Sequence, residues 1–137
     1  MKISIINGPN LNLLGIREPG IYGRQTFEDF LKGLREKYPA IQIDYFQSNV
    51  EGELVNELQR VGFSYDGILL NAAAYTHTSV AIGDAVAAIK TPVIEIHISN
   101  IAAREEFRLR SMIGAKSVGA ISGMGLKGYE LGLLYFL

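Results

Sequence analysis

Apolar residues fall along this chain in two alternating rhythms. Short β-branched runs read as strands at Lys2 to Ile6, Ile41 to Phe46, Gly67 to Leu70, Val93 to Ile98 and Ser117 to Ile121. Each run is followed by a stretch with apolar positions at helical spacing. These stretches are carried by Phe27, Phe30, Leu31 and Leu34, by Leu54, Val55, Leu58 and Val61, and by Val80, Ala81, Ala85, Val86 and Ile89. A fourth runs through Arg104 and Arg108, and a terminal one carries Leu126, Tyr129, Leu133 and Phe136. Near-continuous apolar strands joined by crossover helices imply a parallel sheet covered on both faces. The expected architecture is a single α/β domain over residues 1–137, a flavodoxin-like doubly wound five-stranded parallel sheet of order 2-1-3-4-5 with helices on both faces.

Ligands of such sheets bind beyond the carboxyl ends of the strands, especially where strand order reverses, here between strands one and three. Polar clusters occupy these ends. Asn7-Gly8-Pro9-Asn10 leaves strand one, Asn71 to Ser79 leaves strand three, and His97-Ile98-Ser99-Asn100 leaves strand four.

The fourth strand breaks its own apolar pattern. Ile94, Ile96 and Ile98 share one face, so Glu95 and His97 share the other, where the carboxylate can orient the imidazole. Burying both in a sheet costs several kcal/mol unless they are paired. A satisfied buried ion pair, an edge strand with one wet face and a catalytic pair all fit this segment by itself, and the three polar strand ends favour a functional cleft.

Composition narrows the partners. In 137 residues, 48% hydrophobic and 20% charged content suits one well-packed core. A net charge of −1 with scattered Lys and Arg gives no basic stripe for nucleic acid or an anionic membrane surface. The apolar run at the amino terminus is too short for a signal peptide, and no segment approaches the roughly 18 apolar residues of a membrane span. With no cysteine, the chain has neither a disulfide frame nor a thiolate metal site, which fits the cytoplasm. The two histidines, His77 and His97, form no ligand cluster of diagnostic spacing, so no metal is expected. Gly123-Met-Gly125-Leu-Lys-Gly128 matches a dinucleotide-binding pattern in letters alone. It belongs to the last strand, with no further βαβ unit, and close helix packing is the expected reason for it.

Three segments carry candidate chemistry. The loop at about residues 15–25 is long, rich in glycine and of the kind that forms lids. It bears Arg17 and Tyr22, and a guanidinium near the phenol would favour phenolate, making Tyr22 a base. Anchoring of the loop by Tyr22, with Arg17 paired to Glu18, is the alternative. Asn71 to Ser79 leads into a helix whose free N–H groups and hydroxyl caps suit sugar-like hydroxyls. Capping accounts for Thr76, Thr78 or Ser79 but not for His77. Asp84, about two helical turns or roughly 10 Å beyond His77, suits service to another subunit. Arg104 and Arg108 at i and i+4 read as a solvated helix with modest ion pairs, or as a helix reaching the cleft.

Taken together, Asn7-Gly-Pro-Asn-Leu-Asn, Arg17-Glu-Pro, Tyr22-Gly, Gln47-Ser-Asn, Tyr75-Thr-His-Thr-Ser-Val, Glu95-Ile-His-Ile-Ser-Asn, Arg104-Glu-Glu-Phe-Arg and Gly128-Tyr resemble type II 3-dehydroquinate dehydratase over essentially the whole chain. The resemblance implies loss of water from 3-dehydroquinate to give 3-dehydroshikimate, by anti elimination through an enolate, with no metal or organic cofactor. It makes Tyr22 the base and Arg17 its activator, and places Asn10 at the enolate oxygen through an ordered water. His97 matches the general acid and Glu95 its orienting partner. Asn71, His77 and Arg108 match ligands of the ring hydroxyls, and Ile98 and Ser99 match the carboxylate pocket. Arg104 matches a supporting residue near the lid. Family members form trimers that assemble into dodecamers, with the residue matching Asp84 entering a neighbour's site. The chain departs from the usual pattern at Ala72-Ala73, where Pro-Gly or Ala-Gly is common, at Gly83, where Arg is usual, and at Ala102, where His is common. Gly83 lowers helix propensity and puts the subunit contact near Asp84 in question. A non-catalytic flavodoxin-like module for a polyhydroxylated acid or nucleotide is the alternative function, and an FMN electron carrier is a third.

Overall fold

The computed structural model describes residues 1–16 and 25–137. Five parallel strands, β1 (Lys2–Asn7), β2 (Gln42–Gln47), β3 (Gly67–Asn71), β4 (Val93–His97) and β5 (Gly119–Ser122), lie in the order β2-β1-β3-β4-β5. This is the predicted doubly wound arrangement. Among the described residues the α-helices are α1 (Phe27–Lys37), α2 (Glu51–Val61), α3 (Val80–Ala88) and α4 (Lys127–Tyr135).

Side-chain alternation divides the interior into two layers. Ile3 and Ile5 of β1, Leu69 of β3, and Ile94 and Ile96 of β4 pack with Phe27, Leu31 and Leu34 of α1 and Tyr129 and Leu133 of α4. Ile6, Ile68, Leu70 and Val93 point the other way, against Leu54, Leu58 and Val61 of α2 and Ile82, Ala85 and Val86 of α3. Register then fixes which polar residues meet. Asn7 lies level with Gln47 on one side and Asn71 on the other, while Leu70 pairs with Glu95 and His97 with Ser122.

Local signals start the helices where the strands need them. The Thr26 hydroxyl accepts the Asp29 N–H at 3.1 Å, and the Ser79 hydroxyl accepts the Ile82 N–H at 2.9 Å. At the far end, Gly123 (φ 85°) and Gly125 (φ 61°) make left-handed turns that lead from β5 into α4. Conformation, rather than helix packing, therefore explains these two glycines. Close helix packing falls on Gly132, where a Cβ would lie 2.8 Å from Leu69 Cδ2.

The β4–β5 crossover departs from expectation. In place of an α-helix through Arg104 and Arg108, short 3-10 turns run at Ile101–Ala103, Glu106–Leu109 and Gly114–Lys116. Arg104 and Glu105 between them are extended, so the two arginines do not share an α-helical face. Helix propensity is good here, but it is a weak preference that tertiary bonds override. The Met112 N–H donates across to Thr76 O at 2.7 Å, a bond that draws this segment onto the turn after β3.

An ion-pair cluster ties α4 to the end of α1. Glu130 accepts from Lys37 at 2.6 Å and from the Tyr38 hydroxyl at 2.8 Å, and Lys127 lies 3.3 Å away. The Lys37 ammonium and then the Tyr38 hydroxyl hold the Glu130 carboxyl at about 2. A carboxyl depressed on folding stabilises the fold above its unfolded pKa, and that stability is lost as pH falls through the folded value. The wild-type melting temperature should therefore fall more steeply than that of Glu130→Gln between pH about 4.5 and about 2. Melting curves of both proteins across that range check this, and parallel pH profiles would count against it.

Candidate active site

A cleft of about 260 Å³ opens at the carboxyl ends of β1, β3 and β4, where the topology places ligands. Asn10, Asn71, His77, His97, Ile98, Ser99, Arg104 and Arg108 all line it. Arg17 and Tyr22 lie outside the described residues, as does most of the loop at 15–25. Asp84 is exposed on α3 and does not line the cleft of its own chain. The estimate of its distance from His77 supposed one continuous helix. His77 instead ends a 3-10 turn, and α3 begins only after Ser79, so that spacing does not apply.

Glu95 stands behind His97. The Nε2 of His97 bonds the Glu95 Oε2, with both side chains nearly excluded from solvent at 6% and 3% exposure. The carboxylate's other oxygen, Oε1, accepts the Ser111 hydroxyl at 3.0 Å. The pair is thus satisfied inside the sheet, and its imidazole forms part of the cleft wall.

His77 lies beside it, with ring centroids 6.1 Å apart and planes 18° from parallel. Its Nδ1 is 2.8 Å from the Arg110 carbonyl oxygen. A carbonyl can only accept, so Nδ1 carries the proton, and in the neutral ring Nε2 is left as an acceptor for a ligand. Arg108 donates from Nε to Glu105 at 3.0 Å and holds that carboxyl below its usual range. The Arg104 guanidinium donates to the Ser99 hydroxyl at 3.3 Å.

The amides are fixed from the opposite side of the sheet. The Tyr129 hydroxyl, fully buried on α4, donates to Asn7 Oδ1 at 2.7 Å and accepts from Asn71 Nδ2 at 2.9 Å. Burial drives the Tyr129 phenol far above its ordinary pKa, so it stays protonated as that donor, and burial pushes Tyr45 up to about 12. Asn71 Oδ1 accepts the Ala73 N–H at 3.1 Å, which leaves the second Nδ2 hydrogen available to the cleft. Asn10 adopts a left-handed backbone (φ 70°), a conformation Asn tolerates, and its N–H donates to Asn49 Oδ1 at 3.0 Å.

Two guanidinium groups, two imidazoles and two amides around one cleft suit an anion that also carries hydroxyl groups. The match to known proteins is of the same kind. Residues 1–137 match the family model described as Dehydroquinase class II. The chain belongs to this family. It is 50% identical to the 3-dehydroquinate dehydratase of Fusobacterium nucleatum, an alignment covering 100% of this chain and 97% of that protein. It is likewise 50% identical to that of Aliarcobacter butzleri, covering 98% and 83%. The crystal structure of type II dehydroquinase from Butyrivibrio crossotus superposes with a TM-score of 0.94 at 45% identity, covering 99% of this chain and 97% of that one.

Sequence reading of this dehydroquinase chain missed Ser111 and Tyr129 as parts of the site. Ser111 is one hydroxyl in a segment that reads as helix, and nothing in its spacing marks it. Tyr129 occupies an ordinary core position of a helical pattern.

Ala73 is a strained point in the cleft wall. Its φ of 53° is left-handed, a conformation that costs an L-residue roughly 1–2 kcal/mol and glycine nothing comparable. Ala73→Gly should stabilise the protein by about 1 kcal/mol after glycine's greater unfolded-state entropy is counted. Denaturant unfolding checks this, and a variant no more stable than wild type would refute it.

Proposed function

We propose that this chain dehydrates 3-dehydroquinate to 3-dehydroshikimate, as a type II hydro-lyase of the shikimate pathway or of quinate breakdown. The observation that carries the reading is His97 in the cleft wall with Glu95 bonded behind it, in a chain that matches its family end to end. Relatives at 50% identity bear the name 3-dehydroquinate dehydratase, which supplies the substrate.

The reaction removes a proton α to a ketone and then expels a hydroxyl group as water. Tyr22 as phenolate, with Arg17 as its activator, takes the proton. Negative charge develops on the enolate oxygen, where Asn10 stabilises it through an ordered water. His97 delivers a proton to the departing hydroxyl, held at the right angle by Glu95. Asn71, His77 and Arg108 hold the ring hydroxyls, Ile98 and Ser99 the carboxylate, and Arg104 supports the rim. Side chains and one ordered water carry these steps, so no metal or cofactor is invoked.

Asp84 serves a neighbouring site in a dodecamer built from trimers. Its exposure and its absence from the cleft lining of its own chain support that reading. Gly83 before it is buried, and a Cβ there would fall 2.4 Å from the Met112 carbonyl oxygen, so a side chain at 83 would press on the crossover. The enzyme acts in the cytoplasm, on a small molecule rather than on nucleic acid or membrane. Among the described residues, no helix is long and apolar enough to cross a membrane.

Following the conjugated enone produced from 3-dehydroquinate tests the activity. Well-folded protein that binds substrate without turnover would favour a non-catalytic binding module. Tyr22→Phe and His97→Ala should each lower kcat by at least about 100-fold with KM little changed, since both groups act on protons in flight. Near-normal kcat in either variant would reassign its role. Native mass measurement should give a multiple of three chains. Asp84→Ala should raise KM in that assembly, and an unchanged KM would remove Asp84 from the site.

A further inference from the structure

The β4–β5 crossover spends its polar groups on the two histidines. Within residues 110–114, the Arg110 carbonyl accepts a hydrogen bond from the His77 Nδ1–H at 2.8 Å and the Met112 N–H donates to Thr76 O at 2.7 Å. Between them, the Ser111 hydroxyl donates to Glu95 Oε1 at 3.0 Å. Ser111 Oγ also accepts the N–H groups of Ile113 at 3.2 Å and Gly114 at 2.9 Å. Those two donors occupy its lone pairs, so the single hydroxyl proton has one direction left, toward the carboxylate.

Backbone closeness holds this arrangement in place. A Cβ on Gly114 would lie 3.1 Å from Glu95 Oε1 and 3.3 Å from Ser111 Oγ. On the other side, the Met112 carbonyl sits against Gly83 of α3, where a Cβ would be 2.4 Å away. The segment is a strap wedged between α3 and the Glu95 side chain.

We propose that Ser111 is a positioning residue for the dehydration. It pins Glu95 Oε1 so that Oε2 meets His97 Nε2 in one geometry, and the imidazole is aimed into the cleft before substrate arrives. The proposal rests on His97 being the acid and Glu95 its partner. Without Ser111, Oε1 is a buried acceptor with no donor among the described residues, and the carboxylate can turn away from the ring. Ser111 does not line the cleft. Its action passes through Glu95, in the way outer partners orient the groups that do the chemistry.

The test is a double-mutant cycle read in kcat. Ser111→Ala should lower kcat about ten-fold, the scale of one hydrogen bond, with KM within about two-fold of wild type. Ser111→Cys keeps an acceptor for the turn but donates poorly, so it should fall similarly and stands in if the alanine variant does not fold. Ser111→Thr keeps the hydroxyl and should retain most of kcat. In a Glu95→Gln background, Ser111→Ala should cost nothing further, because the carboxylate that Ser111 positions is already gone. A slow Glu95→Gln combined with wild-type kcat in Ser111→Ala and Ser111→Cys would overturn the proposal, as would a full ten-fold loss repeated in the Glu95→Gln background. Wild-type kcat in Glu95→Gln would instead overturn the assignment of the pair itself, and the proposal with it.

Discussion

The buried bond between His97 and Glu95 is the constraint around which the rest of the site is arranged. Two ionisable groups inside an apolar sheet are tolerable only when every polar atom finds a partner. Glu95 uses Oε2 on the imidazole and Oε1 on Ser111, so the crossover after β4 must come back to the sheet at Ser111. A regular helix from Arg104 onward would commit its carbonyls and N–H groups to itself. The chain instead makes short 3-10 turns with extended residues between them, which frees the Arg110 carbonyl for His77 and the Met112 N–H for Thr76. Local regularity is given up where the polar pair needs partners.

The same division of labour appears on the other face of the sheet. Asn7 and Asn71 sit level on neighbouring strands and point toward α1 and α4, whereas Glu95 and His97 point toward α3. One fully buried hydroxyl, that of Tyr129, joins the two asparagines. The cleft is therefore held from two directions by unrelated elements. A helix 58 residues beyond Asn71 fixes the amide wall, and a short strap fixes the imidazole wall. Both networks join buried and half-buried polar groups across elements remote in sequence and so rigidify the cleft, although Asn7 Nδ2 is buried without a partner among the described residues.

What could be read from the sequence follows from which forces are local. Alternation along β4 is a property of strand geometry, so the opposite faces of Ile94, Ile96 and Glu95, His97 were readable directly, as was the order of the five strands from the repeated strand-helix rhythm. The polar strand ends located the cleft for the same reason, and Asn10, Asn71, His77, His97, Ile98, Ser99, Arg104 and Arg108 do line it. The crossover was not readable. Residues 101–110 include several strong helix formers, and the bonds of Arg110, Ser111 and Met112 to His77, Glu95 and Thr76, residues remote in sequence, draw the segment away from a helix. Ser111 leaves no trace in composition or periodicity, and the 122 residues separating Tyr129 from Asn7 hide that bond from any local pattern. Tyr22 and Arg17 rest on motif likeness, since they lie outside the described residues.

The three departures from the usual family pattern carry different weight once placed in the fold. Ala102 is exposed in a 3-10 turn, and what its position uses is its N–H, which donates to the Asn100 side chain at 3.2 Å. Ala73 occupies a left-handed position where glycine would be relaxed, so strain is held within two residues of Asn71, in the wall that faces substrate. Gly83 bears on the opposite wall. Its missing side chain lets the Met112 carbonyl approach α3, and Met112 is the residue next to Ser111. A glycine that read as a loss of helix propensity and of a subunit contact is, within its own chain, what allows the strap to sit close enough to reach Glu95. Conformation at Ala73 and close approach at Gly83 thus shape the two walls of the cleft without placing a new chemical group in it.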